Sequence, residues 1–149
     1  MKKFLFILLA VALLLGGCSG SSDDITVGED GVIDIGERLF VTRITDIRLN
    51  ADHYLGQSIR LEGMFSGVFW GPTENYYHFV TRRSYGCCGD DGSVGFEIYL
   101  GDFDPLPDNS WVEVTGVLER VELDNMTILR LAVTSLIELE ERGAEFVSN

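Results

Sequence analysis

Trp111-Val112-Glu113-Val114-Thr115-Gly116-Val117-Leu118 decides the fold of this chain. Apolar and polar side chains alternate along it, the pattern of a strand with one face in a core and one in water. Gly116 stands where such a strand must bend sharply around a small closed sheet, because a residue without Cβ lets two backbones approach. Ile59-Arg60-Leu61-Glu62-Gly63 repeats the same rhythm and also ends at a glycine. Working outward, strands are predicted over Ser58 to Phe65, Tyr76 to Ser84, Val94 to Leu100, Trp111 to Arg120 and Met126 to Leu136. Turn-rich stretches separate them, among them Gly71-Pro72-Thr73-Glu74-Asn75 and Pro105-Leu106-Pro107-Asp108-Asn109.

Five principal strands, two of them kinking at glycine, predict an all-β fold: a small five-stranded barrel like that of oligonucleotide/oligosaccharide-binding (OB) domains. A small antiparallel sandwich is the alternative topology. Leu39 to Ile47 is rich in β-branched residues and reads as a further strand, and Asn50 to Gly56 as a short helical turn closed by glycine. Ile25 to Gly36 reads as an acidic linker or a loose first strand. The expected organisation is a leader over 1–17, a flexible acidic tether over 18–37, the barrel over 38–140 and a tail over 141–149.

The leader is Met1-Lys2-Lys3 followed by an apolar run from Phe4 to Leu15, then Leu15-Gly16-Gly17-Cys18. A basic start, a short hydrophobic stretch and small residues before a cysteine resemble a bacterial lipoprotein signal peptide. That resemblance implies cleavage before Cys18 and acylation of its thiol and amine, leaving the protein lipid-anchored on the extracytoplasmic face of the cell membrane. Twelve apolar residues at about 1.5 Å each are too short to span a hydrocarbon core of about 30 Å. Ser19-Gly20-Ser21-Ser22-Asp23-Asp24 is the polar tether that would follow.

The whole chain has 149 residues, 46% hydrophobic and 23% charged, with a formal net charge of −13. Without the leader, the only two lysines are gone, and nine scattered arginines face 24 acidic residues for a net charge of −15. No basic stripe forms, and such a surface repels a phosphate backbone, which excludes nucleic acid as a partner. The familiar signatures of hydrolases, zinc proteases and phosphate-binding loops are also missing, so a non-enzymatic role is expected.

The chemical candidate is Tyr85-Gly86-Cys87-Cys88-Gly89-Asp90-Asp91-Gly92, between two predicted strands. With Cys18 acylated, Cys87 and Cys88 have only each other. Free thiols, a strained vicinal disulfide, or a pair of thiolates on a metal are all physically open. Cys87 and Cys88 with Asp90 or Asp91 could take zinc or another soft metal ion. His78 lies nine residues before Cys87, inside the preceding strand, and His53 lies in the first connection, so neither is placed to help. Arg82 and Arg83 could lower a thiol pKa or hold an anion, or simply pair with Asp90, Asp91 or a nearby glutamate. The cluster Tyr76, Tyr77, Phe79, Tyr85, Phe96 and Tyr99 reads as core and cross-strand packing.

Tyr77-His78-Phe79-Val80-Thr81-Arg82-Arg83, Cys87-Cys88-Gly89-Asp90-Asp91, Val94-Gly95-Phe96 and Trp111-Val112-Glu113-Val114-Thr115-Gly116 together resemble the C-terminal extracytoplasmic domain of the YcgQ-type family of permease subunits. The similarity covers roughly residues 52 to 120, and its most specific element is Cys-Cys-x-x-Asp on Cys87, Cys88 and Asp91. It departs in two places: a lipid anchor stands for the family's membrane-spanning part, and Gly92 for the alanine that usually follows the motif's aspartate. The resemblance implies an accessory binding domain for a membrane permease, with a metal or partner protein as ligand. A thiol-disulfide redox protein and a scaffolding envelope lipoprotein are the rival functions.

Overall fold

The computed structural model describes residues 27–86, 89–123 and 126–147, with the backbone alone for residues 86 and 89–91. Seven strands and two helices follow in the order β1 (Ile33–Ile35), α1 (Phe40–Leu49), α2 (Ala51–Tyr54), β2 (Ser58–Trp70), β3 (Asn75–Gly86), β4 (Gly89–Tyr99), β5 (Trp111–Leu123), β6 (Met126–Glu138) and β7 (Phe146–Val147). Five of them close a barrel: β2 pairs with β3, β3 with β4, β4 with β6, β6 with β5, and β5 again with β2. All these pairings are antiparallel except β4 with β6, where Glu97, Ile98 and Tyr99 run parallel to Arg130, Leu131 and Ala132. This is the expected OB-like barrel.

Alternation puts Ile59, Leu61, Phe65, Val80, Phe96, Ile98, Val112, Val114, Leu118 and Leu131 inside, each at most 2% exposed. The register of β5 on β6 shifts between Thr115 and Gly116. A Cβ at Gly116 would stand 2.8 Å from the Ala132 carbonyl oxygen, so the bend read from the sequence requires glycine there. Gly95 is tighter still: a Cβ on it would run into the backbone of Val80 and Thr81.

The stretch from Leu39 to Ile47, read as a strand, is helical. Phe40, Ile44 and Ile47 recur at the spacing of one helix face and are all but fully buried, making α1 a plug on the barrel core. β-Branched residues favour strands intrinsically, but burial of this apolar stripe outweighs a propensity of tenths of a kcal/mol per residue. The short turn after it is as expected: α2 ends and Gly56 takes φ 81°, its N–H donating to the Leu118 carbonyl at 2.9 Å.

The sheet also reaches beyond the bounds expected for the barrel. β1 lies within the tether bounds, in the stretch read as an acidic linker or a loose first strand, and it is a strand, paired parallel to Ile59, Arg60 and Leu61, with Ile33 and Ile35 each 1% exposed. β7 lies in the segment assigned to the tail and pairs parallel to Arg83 and Ser84, burying Val147. Both are too short to announce themselves by periodicity; their partners come from distant sequence. Among the described residues, no helix is long and apolar enough to cross a membrane.

Candidate functional site

The cysteine motif falls at one end of the β3–β4 hairpin. The strands stay paired out to Tyr85 opposite Asp90 and Gly86 opposite Gly89. Cys87 and Cys88 themselves, the side chains of Asp90 and Asp91, and Cys18 lie outside the described residues. Because β2 and β3 are antiparallel, this end of β3 is also the end where β2 begins, and β1 lies beside those first residues of β2. The described chain therefore enters the domain at the barrel end that carries the cysteine hairpin. The opposite end carries the β2–β3 turn after Trp70.

His78 lies along β3, eight residues before its end at Gly86. It sits opposite Gly67 and Ile98, its ring stacked on Phe65 at 5.4 Å. Burial pushes its pKa down, against a smaller opposing pull from Asp108, so the ring favours its neutral form. His53 lies in α2. Among the described residues, no three His, Cys, Asp or Glu side chains gather to hold a metal ion.

Arg82, expected beside the cysteines as an exposed cation, points the other way. It is 1% exposed and occupies an inward position of β3. Its Nε donates to the Glu62 carbonyl at 2.8 Å, and one terminal nitrogen donates to Glu37 Oε1 at 3.2 Å and to the Ala144 carbonyl at 3.1 Å. The guanidinium lies 5.0 Å from the ring centres of both Phe40 and Trp111. Arg82 is thus a clasp joining the entry to α1, β2, β5 and the C-terminal segment, its burial offset by these three acceptors and by the Glu62 carboxylate 3.7 Å from its other terminal nitrogen. The Ala144 N–H donates to Glu37 Oε1 at 2.6 Å, and this bond, with Arg82 behind it, lowers the Glu37 pKa. Arg83 does point outward, with Nε 3.2 Å from Glu145 Oε1 and its guanidinium over Phe146. It binds β7 to the sheet.

The aromatic cluster is not all core. Phe96 is buried, but Tyr76, Tyr85 and Tyr99 are each more than half exposed. On the outer face of β2, β3, β4 and β6, Val68, Trp70, Tyr77, Phe79 and Ile128 line a hollow of about 220 Å³ with Glu97 in it. A larger hollow of about 620 Å³ adjoins it, sharing Phe79, Glu97 and Ile128 and continuing to Thr81, Ser93 and Arg48, whose guanidinium donates to the Gly95 carbonyl at 2.6 Å. Odd-numbered residues of β3 and β4 build this face, since Val80 and Phe96 fix the even ones inside. That parity was present in the sequence but does not say which face a partner would leave open.

Glu97 is the one acid among those lining residues. It pairs in register with Phe79 on one side and Arg130 on the other. Burial raises its pKa, while the charge of Arg130 pulls it down by less. Arg130 is engaged elsewhere: its Nε donates to Glu119 Oε1 at 2.6 Å and its guanidinium lies 4.3 Å from the Tyr99 ring centre.

No curated protein matches this chain at a significant level. Residues 23–147 match the DUF1980 C-terminal domain, a family of unknown function, and the chain belongs to that family.

Proposed function

We propose that the protein is a non-catalytic binding domain, lipid-anchored through Cys18 on the extracytoplasmic face of the membrane and accessory to a membrane permease. Its hairpin end, with Cys87, Cys88, Asp90 and Asp91, would take a soft metal ion such as zinc. The observation that carries this reading is that the chain enters the domain at the barrel end where β3 and β4 turn at Gly86 and Gly89. Nine residue steps lead from Cys18 to Val27. Fully extended they reach about 30 Å. An anchored domain on so short a tether would hold its cysteine end near the bilayer, where a permease could exchange a metal ion with it. Thiolates with a neighbouring carboxylate suit zinc or copper(I) better than magnesium or calcium. The family match supports a DUF1980-type domain without assigning it a ligand.

Native mass spectrometry of residues 19–149, exported to an oxidising compartment and offered zinc without chelator or reductant, tests this. The expected result is one bound ion, lost in the Cys87→Ser/Cys88→Ser double variant while the fold persists by circular dichroism. A mass about 2 Da low would mean a vicinal disulfide and overturn the metal reading in favour of redox chemistry. Two free, alkylatable thiols with no ion taken up would overturn it as well.

A further inference from the structure

We propose that the outer groove around Glu97 is a second binding site, for a small organic ammonium ion carrying apolar substituents. It lies on a different part of the barrel from the cysteine hairpin and stands independently of the metal reading.

Three observations carry this inference. First, the walls are aromatic and aliphatic: Trp70, Tyr77, Phe79, Val68 and Ile128 surround a hollow of about 220 Å³. Trp70 and Val68 leave about half their surface to solvent, 53% and 49%. Scattered exposed apolar residues need no explanation, but a set converging on one hollow does. Second, the charged group lining this hollow among the described residues is a carboxylate. Glu97 is partly withdrawn from water, and no hydrogen bond to it forms among the described residues; Arg130, opposite it on β6, is held by Glu119 and Tyr99, and Arg48, in the adjoining hollow, by the Gly95 carbonyl and the Phe96 ring. A carboxylate in such surroundings lacks a partner, and a cation entering the groove would supply one. Third, Tyr77 and Trp70 line the same hollow, and an aromatic ring's negative quadrupole attracts the same charge that the carboxylate does. Carboxylate and rings select a cation, and the apolar walls select substituents over a hydrated metal ion. The apolar hollow itself, about 220 Å³, holds a small free ion with its substituents.

The test uses benzyltrimethylammonium, with benzyl alcohol as the neutral control and benzoate as the anionic one. Binding is read from the Trp70 indole N–H resonance, which Trp111, 2% exposed in the core, cannot imitate. The ammonium ion is expected to shift Trp70 saturably, and the two controls are not. Glu97→Gln keeps the shape and removes the charge, and should weaken binding about tenfold, as for loss of a charged partner. Tyr77→Leu keeps the apolar wall and removes the ring, and should weaken it about two- to fivefold. Unchanged amide spectra in the core would show that both variants fold. Equal shifts with benzyl alcohol, no shift at all, or full affinity in Glu97→Gln would overturn the assignment.

Discussion

Arg82 shows how far a single side chain can depart from its residue type. An arginine in a strand is ordinarily a solvated cation, yet here it is enclosed, with two carbonyls and a carboxylate to satisfy its donors and two rings to cover its faces. Arg82→Ala should destabilise the domain by about 2–4 kcal/mol in urea, from lost hydrogen bonds and the cavity left behind. Arg82→Lys should fall between, since an ammonium cannot reproduce the planar fork. Both variants should leave the alkylation rate of the cysteines unchanged; a slowed rate would return Arg82 to the thiolate-stabilising role that its position in the sequence invited. Nothing in Tyr77-His78-Phe79-Val80-Thr81-Arg82-Arg83 says which arginine faces in. The answer comes from Glu37, Glu62 and Ala144, which only the closed barrel brings together.

Two carboxylates should titrate on opposite sides of the ordinary glutamate value of 4.5. Glu37 is held below it by the Ala144 N–H and Arg82, so its contribution to stability is complete above 4.5 and is lost as pH falls through its folded value. Glu97 is held above it by burial, so its contribution is complete below 4.5 and is lost as pH rises through its folded value. Carboxyl-carbon NMR titrations should show the two inflections straddling 4.5, and two inflections on the same side would contradict this electrostatic account.

At the scale of elements, the glycine-bent strands were legible and the helix was not. The strand over 111–120 extends in the structure to Leu123, and Gly116 sits at the register shift as its place in the alternation implied. Phe40, Ile44 and Ile47 carried a helical period within a β-branched run, and the local propensity masked it. β1 falls in the stretch that read as either a linker or a loose first strand, and β7 was not legible at all, because each is two or three residues long and is stabilised by a partner far away. The groove was hidden for a related reason: alternation separates two faces of a hairpin, but aromatic composition alone does not say which face stays open. The close approach of β3 and β4 makes its own prediction. Gly95→Ala must push β4 away from the Val80 and Thr81 backbone and should cost about 1–3 kcal/mol, as overpacking does. Gly36→Ala, where an added Cβ meets nothing within 4 Å, should change the denaturation midpoint little. Equal midpoints for the two variants would mean that β3 and β4 do not pack this closely.

At the scale of the whole molecule, the barrel has two unlike ends. The first carries β1, β7 and the cysteine hairpin; the second carries the β2–β3 turn with Phe69 and Trp70 exposed. Eleven residue steps along β2 lead from Ile59 to Trp70, at most about 36 Å at strand rise. With the anchor proposed at Cys18, the tether joins the cysteine end, so the aromatic turn is the end farther from the point of attachment. Paramagnetic broadening of the Cys18-lipidated protein on vesicles doped with nitroxide-headgroup lipid tests this arrangement directly. The account predicts broadened amide signals at Ile33–Ile35 and Ser84–Gly86 and sharp ones at Trp70–Asn75. Broadening confined to Trp70–Asn75 would contradict it, because the cysteine end would then face away from any partner in the membrane.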